Sequence, residues 1–395
     1  MVNGLRLSDQ SNWAPVKEAR IGACRCRPAN TRETRTPMNS VGIDIHKTRC
    51  NACVKTPEGA ILEEFTFQNN SQGLEELVTH LRAHSETQVT TESTGNLWTR
   101  IYDRLEQEQV RVVLTNPKKT RALTENKIKT DRIDARLLAD LLRGNLLSPS
   151  YIPPREIRIQ RSIIRERAHL VETRTILKNR IHTLLDKYDL HPPFTDLFGK
   201  HGLEWLRTVQ LQPGDQVILA VNLEQLISLT HCIDALTAHI ALSAVDNPEV
   251  KLLMGFTGID YYGAMLLLNE IGPIARFPSA KKLVGYAGLA PSTHQSGSVT
   301  IHGHITKEGN RHIRWILIEA AQHAARYDPQ LKPFYERIAA RRGRQRAIVA
   351  VAHKLLIYIY QVLSKQQPYR AQRDDLLEKK LKRLTQKAST SLQTN

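Results

Sequence analysis

The 395-residue chain lacks the features of membrane and secreted proteins. It has no uncharged apolar run of roughly 18 residues, the minimum for a membrane-spanning helix, and no apolar signal core near its first residue. Its five cysteines are too few and too unevenly spaced for a disulfide framework. Cys24/Cys26 and Cys50/Cys53 have spacings compatible with a shared zinc ion, but Cys50 and Cys53 also fit an ordinary strand, which we favour. We therefore expect a reducing cytoplasm and no membrane partner.

Acidic residues are scarce by comparison with basic ones. The chain has 56 lysines and arginines against 39 aspartates and glutamates, which gives a formal net charge of +17. Such an excess favours a polyanionic partner, most simply nucleic acid, over a merely solvated cationic surface. With 41% apolar residues, the chain can also bury a sizeable core and is long enough for two or more domains.

The patterns of apolar, charged and Pro/Gly residues divide the chain into five predicted segments. The first segment, at the N-terminal end, has no hydrophobic period, and Met38 near its end is a candidate natural start. The segments are a disordered basic extension (1–40), an α/β domain (41–150), a coiled-coil linker (151–250), a mostly helical domain (251–365) and a basic flexible tail (366–395).

The α/β domain has three leading extended runs, at 41–46, 49–55 and 61–67, followed by alternating helices and strands. Ser71 is the predicted N-cap of the first helix. Three strands followed by alternating helices and strands is the order of the ribonuclease-H-like fold. The expected fold class is therefore α/β at the N-terminal side and all-α beyond it.

The linker has two sets of apolar residues at sevenfold spacing, a pattern typical of a coiled coil or a long helical hairpin. An intermolecular coiled coil and a two-helix spacer packed on its own chain both remain open. In the following domain, a glycine-containing turn at 257–260 between two helical stretches resembles a helix-hairpin-helix element. We predict a Gly/Ser/His-rich loop over 291–309 and helices over 310–326 and 332–364.

Four carboxylates of the α/β domain occupy positions suited to a metal-dependent nuclease: Asp44, Glu92, Asp131 and Asp134. Asp44 lies inside the run Val41-Gly42-Ile43-Asp44-Ile45 and Glu92 closes the run 88–92; the two runs are expected to be neighbouring strands. Asp131 and Asp134 lie three apart on one face of a helix. Alone, each acid is more easily explained as structural; clustered, they need a cation. Ligands that are all oxygen suit Mg²⁺, with Mn²⁺ as the alternative, and not zinc.

These residues lie in motifs that resemble the DEDD-type insertion-sequence transposases, from about 41 to 325 and in the family order. The segment before Met38 is the part that the resemblance does not cover. The RuvC-like half matches in Val-Gly-Ile-Asp44-Ile-His-Lys, Glu92-Ser-Thr-Gly-Asn-Leu-Trp, Asn-Pro-Lys-Lys and Lys-Thr-Asp131-Arg-Ile-Asp134-Ala, and the C-terminal transposase domain matches in the run from Phe277 to Pro291, in Gln295-Ser296-Gly297 and in the run from Ile305 to Arg314.

The resemblance implies a site-specific DNA recombinase that acts on donor and target DNA, guided by a structured RNA transcribed from the element. The four acids would bind Mg²⁺, and Ser296 would attack a DNA phosphate and form a covalent phosphoserine link. The resemblance further implies a homo-oligomer, a dimer or a tetramer formed from dimers, in the bacterial cytoplasm at the nucleoid.

The residues alone leave the role of Ser296 open. A serine in a loop is usually a turn former, and a hydroxyl nucleophile needs a base or a metal to activate it. The alternative function is a metal-dependent Holliday-junction-type nuclease in which Ser296 is structural, and a non-catalytic nucleic-acid-binding protein is a third class.

Basic residues near both halves of the expected site are candidates for contact with the nucleic-acid backbone. Four flank the acids where a strand must enter, two begin a helix after Gly309-Asn310, and three belong to a denser arginine stripe. They are Lys118, Lys119, Lys127, Lys129, Arg311, Arg314, Arg341, Arg342 and Arg344.

Overall fold

The computed structural model describes residues 38–84, 86–93, 95–121, 131–296 and 299–393. The chain divides into two compact units, 1–152 and 153–395. The first is a mixed α/β unit, and the second is mostly helical. Most of the predicted basic extension, residues 1–37, lies outside the described residues.

A five-stranded sheet forms the centre of the first unit, with the strand order β3-β2-β1-β4-β5. Strands β1, β2 and β3 pair antiparallel, whereas β4 and β5 continue from β1 in parallel. This mixed sheet is consistent with a ribonuclease-H-like domain. The strands are β1 (Asn39–Ile45), β2 (Arg49–Lys55), β3 (Ile61–Gln68), β4 (Thr87–Glu92) and β5 (Arg111–Thr115).

Helices cover both faces of this sheet. One face carries a core in which Val41 and Ile43 of β1 pack with Leu77 of α1 and Ile101 of α2. Asn70, not the predicted Ser71, is the N-cap of α1, because its side-chain oxygen accepts a hydrogen bond from the Gly73 N–H. The helices are α1 (Ser71–Ala83), α2 (Trp98–Gln107), α3 (Pro117–Arg121) and α4 (Asp131–Arg143).

Cys50 and Cys53 are buried in β2, as an ordinary strand requires. Burial raises the pKa of each thiol to about 11, with Asp44 adding to the shift at Cys50 and Glu64 at Cys53. Both residues are therefore protonated thiols at neutral pH. Cys24 and Cys26 lie outside the described residues.

A long antiparallel pair of helices, α5 (Arg155–Asp186) and α7 (Pro213–Ala244), begins the second unit. Hydrogen bonds along its length join Gln160 to Ser243 and Arg167 to Thr237. The sevenfold pattern thus corresponds to a hairpin within one chain. The region between the two helices, predicted to be irregular, contains the short helix α6 (Lys200–Thr208).

The remaining elements of the second unit share one large core with the base of the hairpin. The segment predicted to resemble a helix-hairpin-helix contains α8 (Pro248–Met254) and α9 (Tyr261–Ile271), with the glycine-containing turn between them. It is followed by a 3₁₀ turn (Ile274–Arg276), α10 (Ala280–Tyr286), α11 (Arg311–Tyr327), α12 (Leu331–Arg342) and α13 (Arg344–Lys365).

Two sequence predictions are wrong in this part of the chain. The segment predicted as a loop contains a two-stranded hairpin, β6 (Pro291–Ser296) and β7 (Val299–Ile305). The single helix predicted over 332–364 is two helices, because Gly343 between α12 and α13 has a φ of +80°, which a helix does not allow.

The segment after α13, predicted to be a flexible tail, forms the helix α14 (Asp374–Gln393), which packs against α7. Leu384 and Ala388 are buried there. Lys380 of the same helix donates hydrogen bonds of 2.7 Å to the carbonyl oxygens of Met254, Phe256 and Ile259. The turn between α8 and α9 is therefore held by an ammonium group from the C-terminal helix.

Burial lowers the pKa of Lys380 to about 8, although Asp260 partly opposes the shift. Between this pKa and the ordinary lysine value the unfolded chain binds more protons than the folded one, so this group makes the free energy of unfolding rise with pH. From about pH 7.5 to about pH 9.5 we expect a gain of roughly 1–2 kcal/mol that Lys380→Met lacks. Urea unfolding at the two pH values measures it. The exposed Lys382→Met is the control and should behave like the unmodified protein.

In the part of the chain that the structure describes, α7 and α13 are long and apolar enough to cross a membrane by length and composition alone. Both are packed among helices of the second unit, α7 against α5 and α14, and α13 against α10, α11 and α12. Buried helices inside proteins meet the same two criteria, so these helices are weak evidence for a membrane span.

Candidate active site

Asp44 and Glu92 lie side by side at one edge of the sheet. Ile43 of β1 pairs in parallel with Thr91 of β4, so the next residue of each strand is a carboxylate at its carboxyl end. Because side chains alternate along a strand, both acids point to the face opposite Ile43. Asp44 is 20% exposed, and its Oδ2 lies 3.0 Å from the His46 Nε2.

Gly42 allows α4 to lie directly on this face of β1. A Cβ at this position would lie 2.5 Å from the Ala139 backbone nitrogen and 2.9 Å from the Leu138 Cβ, and it would also clash with the Ala135 carbonyl oxygen. Any residue larger than glycine would therefore push the helix away. The glycine brings the backbone of α4 into contact with the strand that carries Asp44.

The direction of α4 places its first turn at the same edge as Asp44. Lys55, the partner of Ser40 in the sheet, is buried and forms a 2.5 Å ion pair with Asp140 near the end of α4. Ala135, which is closer to the start of α4, contacts Gly42, which is further along β1 than Ser40. The helix and the strand therefore run in opposite directions. Asp134 therefore lies towards Asp44, and Asp131 is the first residue of the helix.

Asp44 and Glu92 thus lie at one edge of the sheet, and the first turn of α4, which contains Asp131 and Asp134, is directed towards that edge. The side chain of Asp131 lies outside the described residues; those of Asp44, Glu92 and Asp134 are each partly exposed. Among the described side chains, no three acidic, imidazole or thiol groups are close enough together to hold a metal ion. The donor set is all oxygen apart from the adjacent His46, and it fits Mg²⁺ or Mn²⁺ better than a softer metal.

Gly42→Ala tests this arrangement. The added methyl group meets backbone atoms that cannot rotate away, so we expect α4 to shift and the free energy of unfolding to fall by roughly 1–3 kcal/mol. Metal-dependent DNA cleavage should fall as well. Gly144→Ala is the matched control, because a Cβ there makes ordinary contacts of 3.4 Å. Equal stability of the two variants in urea unfolding would contradict the close approach.

In the second unit, Ser296 is the last residue of β6, paired with Val299 of β7. Its side chain lies outside the described residues, as do Gly297 and Ser298. The base of the hairpin is fixed by backbone bonds from Thr306 N–H to the Ala290 oxygen and from Lys307 N–H to the Gly288 oxygen, each at most 3.2 Å. The predicted nucleophile therefore stands at the far end of an anchored hairpin.

Glu270, a buried acid of α9, connects the elements around this hairpin. Its carboxylate accepts two hydrogen bonds from Arg165 of α5, at 2.6 and 2.8 Å, and one from the Asn310 side chain at 2.6 Å. Asn310 uses its other side-chain atom to cap α11, accepting from the His312 and Ile313 N–H groups. One carboxylate thereby holds the long helical hairpin and the start of α11 together.

Two opposed effects act on the pKa of Glu270. Burial alone would raise it, but the hydrogen bonds and charge of Arg165, with the Asn310 amide, hold the pKa below its ordinary value. The pKa of His312 is also lowered, mainly by burial and further by Arg165 and Arg311, against the opposing charge of Glu270. Glu270 is thus ionised and His312 neutral at pH 7.

Glu270→Ala is expected to lower the free energy of unfolding by roughly 2–3 kcal/mol, less than for a fully buried pair because Arg165 is 44% exposed. Since the folded pKa of Glu270 is lowered, its stabilisation is present above the ordinary glutamate pKa and is lost as pH falls through the folded one. The difference between the two proteins should therefore shrink in acid. Thermal and urea unfolding measure it. Glu378→Ala, which removes an exposed pair with Lys382, should change stability by no more than about 0.5 kcal/mol.

The predicted nucleic-acid contacts divide into three groups. Arg311, Arg341, Arg342 and Arg344 are exposed. Lys119 and Arg314 have partners within the chain: Lys119 donates to the Ser148 hydroxyl at 3.0 Å, and Arg314 donates to the Ala287 oxygen at 3.1 Å, at the end of α10. Lys127, Lys129 and the side chain of Lys118 lie outside the described residues.

Sequence reasoning missed Gly42, the Lys55–Asp140 pair and Glu270. Gly42 had a visible signal, a glycine inside an otherwise apolar strand, which marks a close backbone approach. Glu270 had none, because its partners Arg165 and Asn310 are 105 and 40 residues away.

Comparison with known families places both halves of this arrangement in one class of protein. A DEDD-type transposase model matches residues 41–189, and the model of the transposase IS116/IS110/IS902 family matches residues 250–336. The two together cover more than half of the chain, including all four acids and Ser296. The protein is a transposase. It belongs to the IS110 family of insertion-sequence transposases.

Individual relatives agree with this membership. The pilin gene-inverting protein of Moraxella lacunata is 29% identical over 346 residues, which are 83% of this chain and 97% of that protein. The transposase for insertion sequence element IS1111A of Coxiella burnetii is 27% identical over 255 residues, 61% of this chain and 68% of its own length. The y4qE protein of Sinorhizobium fredii is 30% identical over 207 residues, so the match spans only half of that relative.

Proposed function

We propose that this transposase cuts and rejoins DNA with two sets of residues: acids of the first unit that bind Mg²⁺, and Ser296 of the second unit as the nucleophile. The observation that carries the proposal is the contact of α4 with Gly42. It collects Asp44, Glu92 and the start of α4 at one edge of the sheet in a chain whose overall charge is strongly positive.

The acids would serve as the metal ligands. Asp44, Glu92, Asp131 and Asp134 supply carboxylate oxygens, and Mn²⁺ could replace Mg²⁺ on the same donors. A bound divalent cation there supplies electrostatic stabilisation of phosphate oxygens during in-line displacement. Without a cation, the neighbouring carboxylates at this edge would repel one another, so their grouping is easier to explain with a cation than without one.

Ser296 would form the covalent link to DNA. Its hydroxyl oxygen forms a bond to a DNA phosphorus, the bond from that phosphorus to a deoxyribose oxygen breaks, and the serine proton passes to the released sugar oxygen. The phosphodiester energy is kept in the phosphoserine link, so a sugar hydroxyl of the partner strand can reverse the reaction and rejoin the DNA. Ser296 lies at the far end of the two-stranded β6–β7 hairpin. This position favours such a role, because the hairpin projects a short segment away from the helical core.

A structured guide RNA, donor and target DNA, and further copies of the chain are the proposed partners. The exposed arginines at the junction of α12 and α13 and the net charge of +17 support binding of nucleic acids. Exposed apolar side chains near the start of α7, Val217, Ile218 and Val221, support contact between copies. Two strand exchanges per product require more than one active site, in agreement with a dimer or tetramer.

A covalent adduct is the direct test. The full-length protein, its RNA and a DNA junction substrate are mixed with Mg²⁺, denatured during the reaction and analysed by peptide mass spectrometry. We expect a phosphoserine-linked nucleotide on Ser296. Ser292→Ala, a change in the same strand, should leave the adduct intact.

A second candidate function gives a different result in the same experiment. In a metal-dependent Holliday-junction-type nuclease the acids alone cut DNA, and Ser296 is structural. Mg²⁺-dependent cutting without any adduct would therefore overturn the serine role and favour the nuclease. An adduct on Ser292 or Ser298 would overturn the assignment to Ser296.

A further inference from the structure

A cavity of about 430 Å³ lies at the base of the β6–β7 hairpin, between the hairpin and helices α12 and α13. Its volume is within the range of roughly 300–1,000 Å³ typical of small-molecule sites. Leu289, Pro291 and Ile305 form the wall on the hairpin side, and Val349, Ala350 and Ile357 form the wall on α13. The cavity is therefore apolar on two opposite sides.

An aromatic ring and three basic side chains complete the lining. The Lys354 Nζ lies 5.3 Å from the centroid of the Phe334 ring. Arg346 and His353 line the cavity as well, and the His353 Nδ1 is 3.3 Å from the Leu289 oxygen. None of the described residues that line it is acidic.

Among the described residues, neither Arg346 nor Lys354 forms a salt bridge, and Arg346 is exposed at the rim. Unpaired cations beside an apolar, aromatic slot are the combination that recognises a nucleotide, with the base against the ring and the phosphate on the cations. An acidic peptide would satisfy the cations but not the slot, and a lipid surface would not fit into a recess.

We propose that this cavity holds one unstacked base of the DNA strand on which Ser296 acts, with the adjacent phosphate bound by Arg346 and Lys354. The inference rests on the proposed function for its choice of DNA. Pro291 lines the cavity and lies five residues before Ser296 on the same strand, a separation of about 17 Å at ~3.3 Å per residue. This equals roughly five base steps of stacked DNA, so the held base would be within about five nucleotides of the reacting phosphate.

Such a site would fix the position of the DNA relative to the hairpin. A base removed from the stack and held at the root of the hairpin prevents the strand from sliding past its tip. The energy of unstacking is least for single-stranded or mismatched DNA, so the cavity would favour strands already opened for exchange.

The experiment measures binding of a single-stranded DNA 12-mer to the full-length protein by fluorescence anisotropy. Phe334→Leu is expected to weaken binding by at least about fivefold, the lower end for loss of one base–aromatic stack. Tyr335→Leu is the matched control, because its ring is the neighbour of Phe334 on α12 but lines a different cavity. Its affinity should stay within about twofold of the unmodified protein.

A second variant and two further probes keep the test independent of folding effects. Lys354→Gln should weaken binding. It should also lower the magnitude of the slope of log affinity against log salt concentration by the amount expected for about one phosphate contact, whereas Lys365→Gln should do neither. A 12-mer of abasic sugars, with the same phosphates, should bind equally to the unmodified protein and to Phe334→Leu. A 12-mer carrying 5-iododeoxyuridine should crosslink to peptides that line the cavity.

Three results would overturn the inference. The first is an equal loss of DNA affinity in Phe334→Leu and Tyr335→Leu. The second is crosslinking confined to peptides that do not line the cavity. The third is that the affinity for an RNA 12-mer of the same sequence depends on Phe334 while the affinity for the DNA does not. The assay involves no cutting of DNA, so failure of Ser296 as the nucleophile would leave its outcome unchanged.

Discussion

Asp44→Asn is expected to reduce Mg²⁺-dependent DNA cleavage by about 100- to 1,000-fold while leaving DNA affinity within about twofold. The substitution keeps the size of the side chain at the end of β1 but removes a negative oxygen ligand from the edge where three other acids are grouped. Loss of metal-dependent stabilisation of the transition state is worth several kcal/mol, which corresponds to this range of rates. Single-turnover cleavage and anisotropy binding measure the two quantities separately.

The control for this prediction is an acid of the same unit that lies away from the site. Glu76→Gln changes an exposed residue of α1 and should leave cleavage unchanged. Cleavage by Asp44→Asn at the rate of the unmodified protein would remove the acids from the reaction. Weaker DNA binding with normal cleavage would instead point to a binding role for this edge of the sheet.

Ser296→Ala is expected to abolish strand exchange, by at least about 10⁴-fold, because removal of a covalent nucleophile leaves no intermediate to rejoin. Cutting should disappear together with joining, since in the proposed reaction the serine makes the cut. The measurement follows both cut and joined products on a labelled DNA junction with the guide RNA present. Ser292→Ala should retain both activities.

The alternative nuclease makes the opposite prediction for the same variant. There, Mg²⁺-dependent cutting would continue in Ser296→Ala at nearly the normal rate. A variant that cuts but does not join would separate the two reactions and place only the joining step on the serine.

The sequence allowed accurate prediction of the strands that carry the acids. The three leading strands of the first unit lie within about two residues of the predicted runs, because buried strands have short apolar runs bounded by turn residues. The grouping of Asp44 with Glu92 followed from the proposed ribonuclease-H-like fold, in which the two strands are neighbours. The exact approach of α4 did not, because it depends on the backbone contact at Gly42.

The second unit was predicted less well, for identifiable reasons. Strand β6 (PSTHQS) has few of the residues that favour strands, and the glycines, serines and histidines on either side of the turn conceal the Val, Thr and Ile residues of β7 (VTIHGHI), so the segment was predicted to be a loop. The break at Gly343 is a single residue within a basic, helix-forming stretch, and glycine is tolerated inside helices at moderate cost. Helix α14 is stabilised by burial against α7, more than 100 residues earlier in the chain.

The buried carboxylate of α9 could not be found from sequence at all. Glu270 lies in an otherwise apolar helix, and a single acid there gives no sign of its partners. Its role is visible only when α5, α9 and the start of α11 are seen together. Charged residues of this kind are specified by tertiary contacts, so they escape any analysis based on local periodicity.

The antiparallel hairpin has a mechanical consequence. Helix α5 has 32 residues and is about 48 Å long, and the arginines that bind α9 lie in its first three turns. Near its start, α5 is therefore fixed to the core through Glu270, and most of its length extends beyond this attachment. A small sideways displacement of the far end of α5, imposed by another copy or by a nucleic acid, would therefore rotate the helix about its attachment to Glu270. Asn310 would pass this rotation to the beginning of α11, which follows the β6–β7 hairpin whose tip includes Ser296.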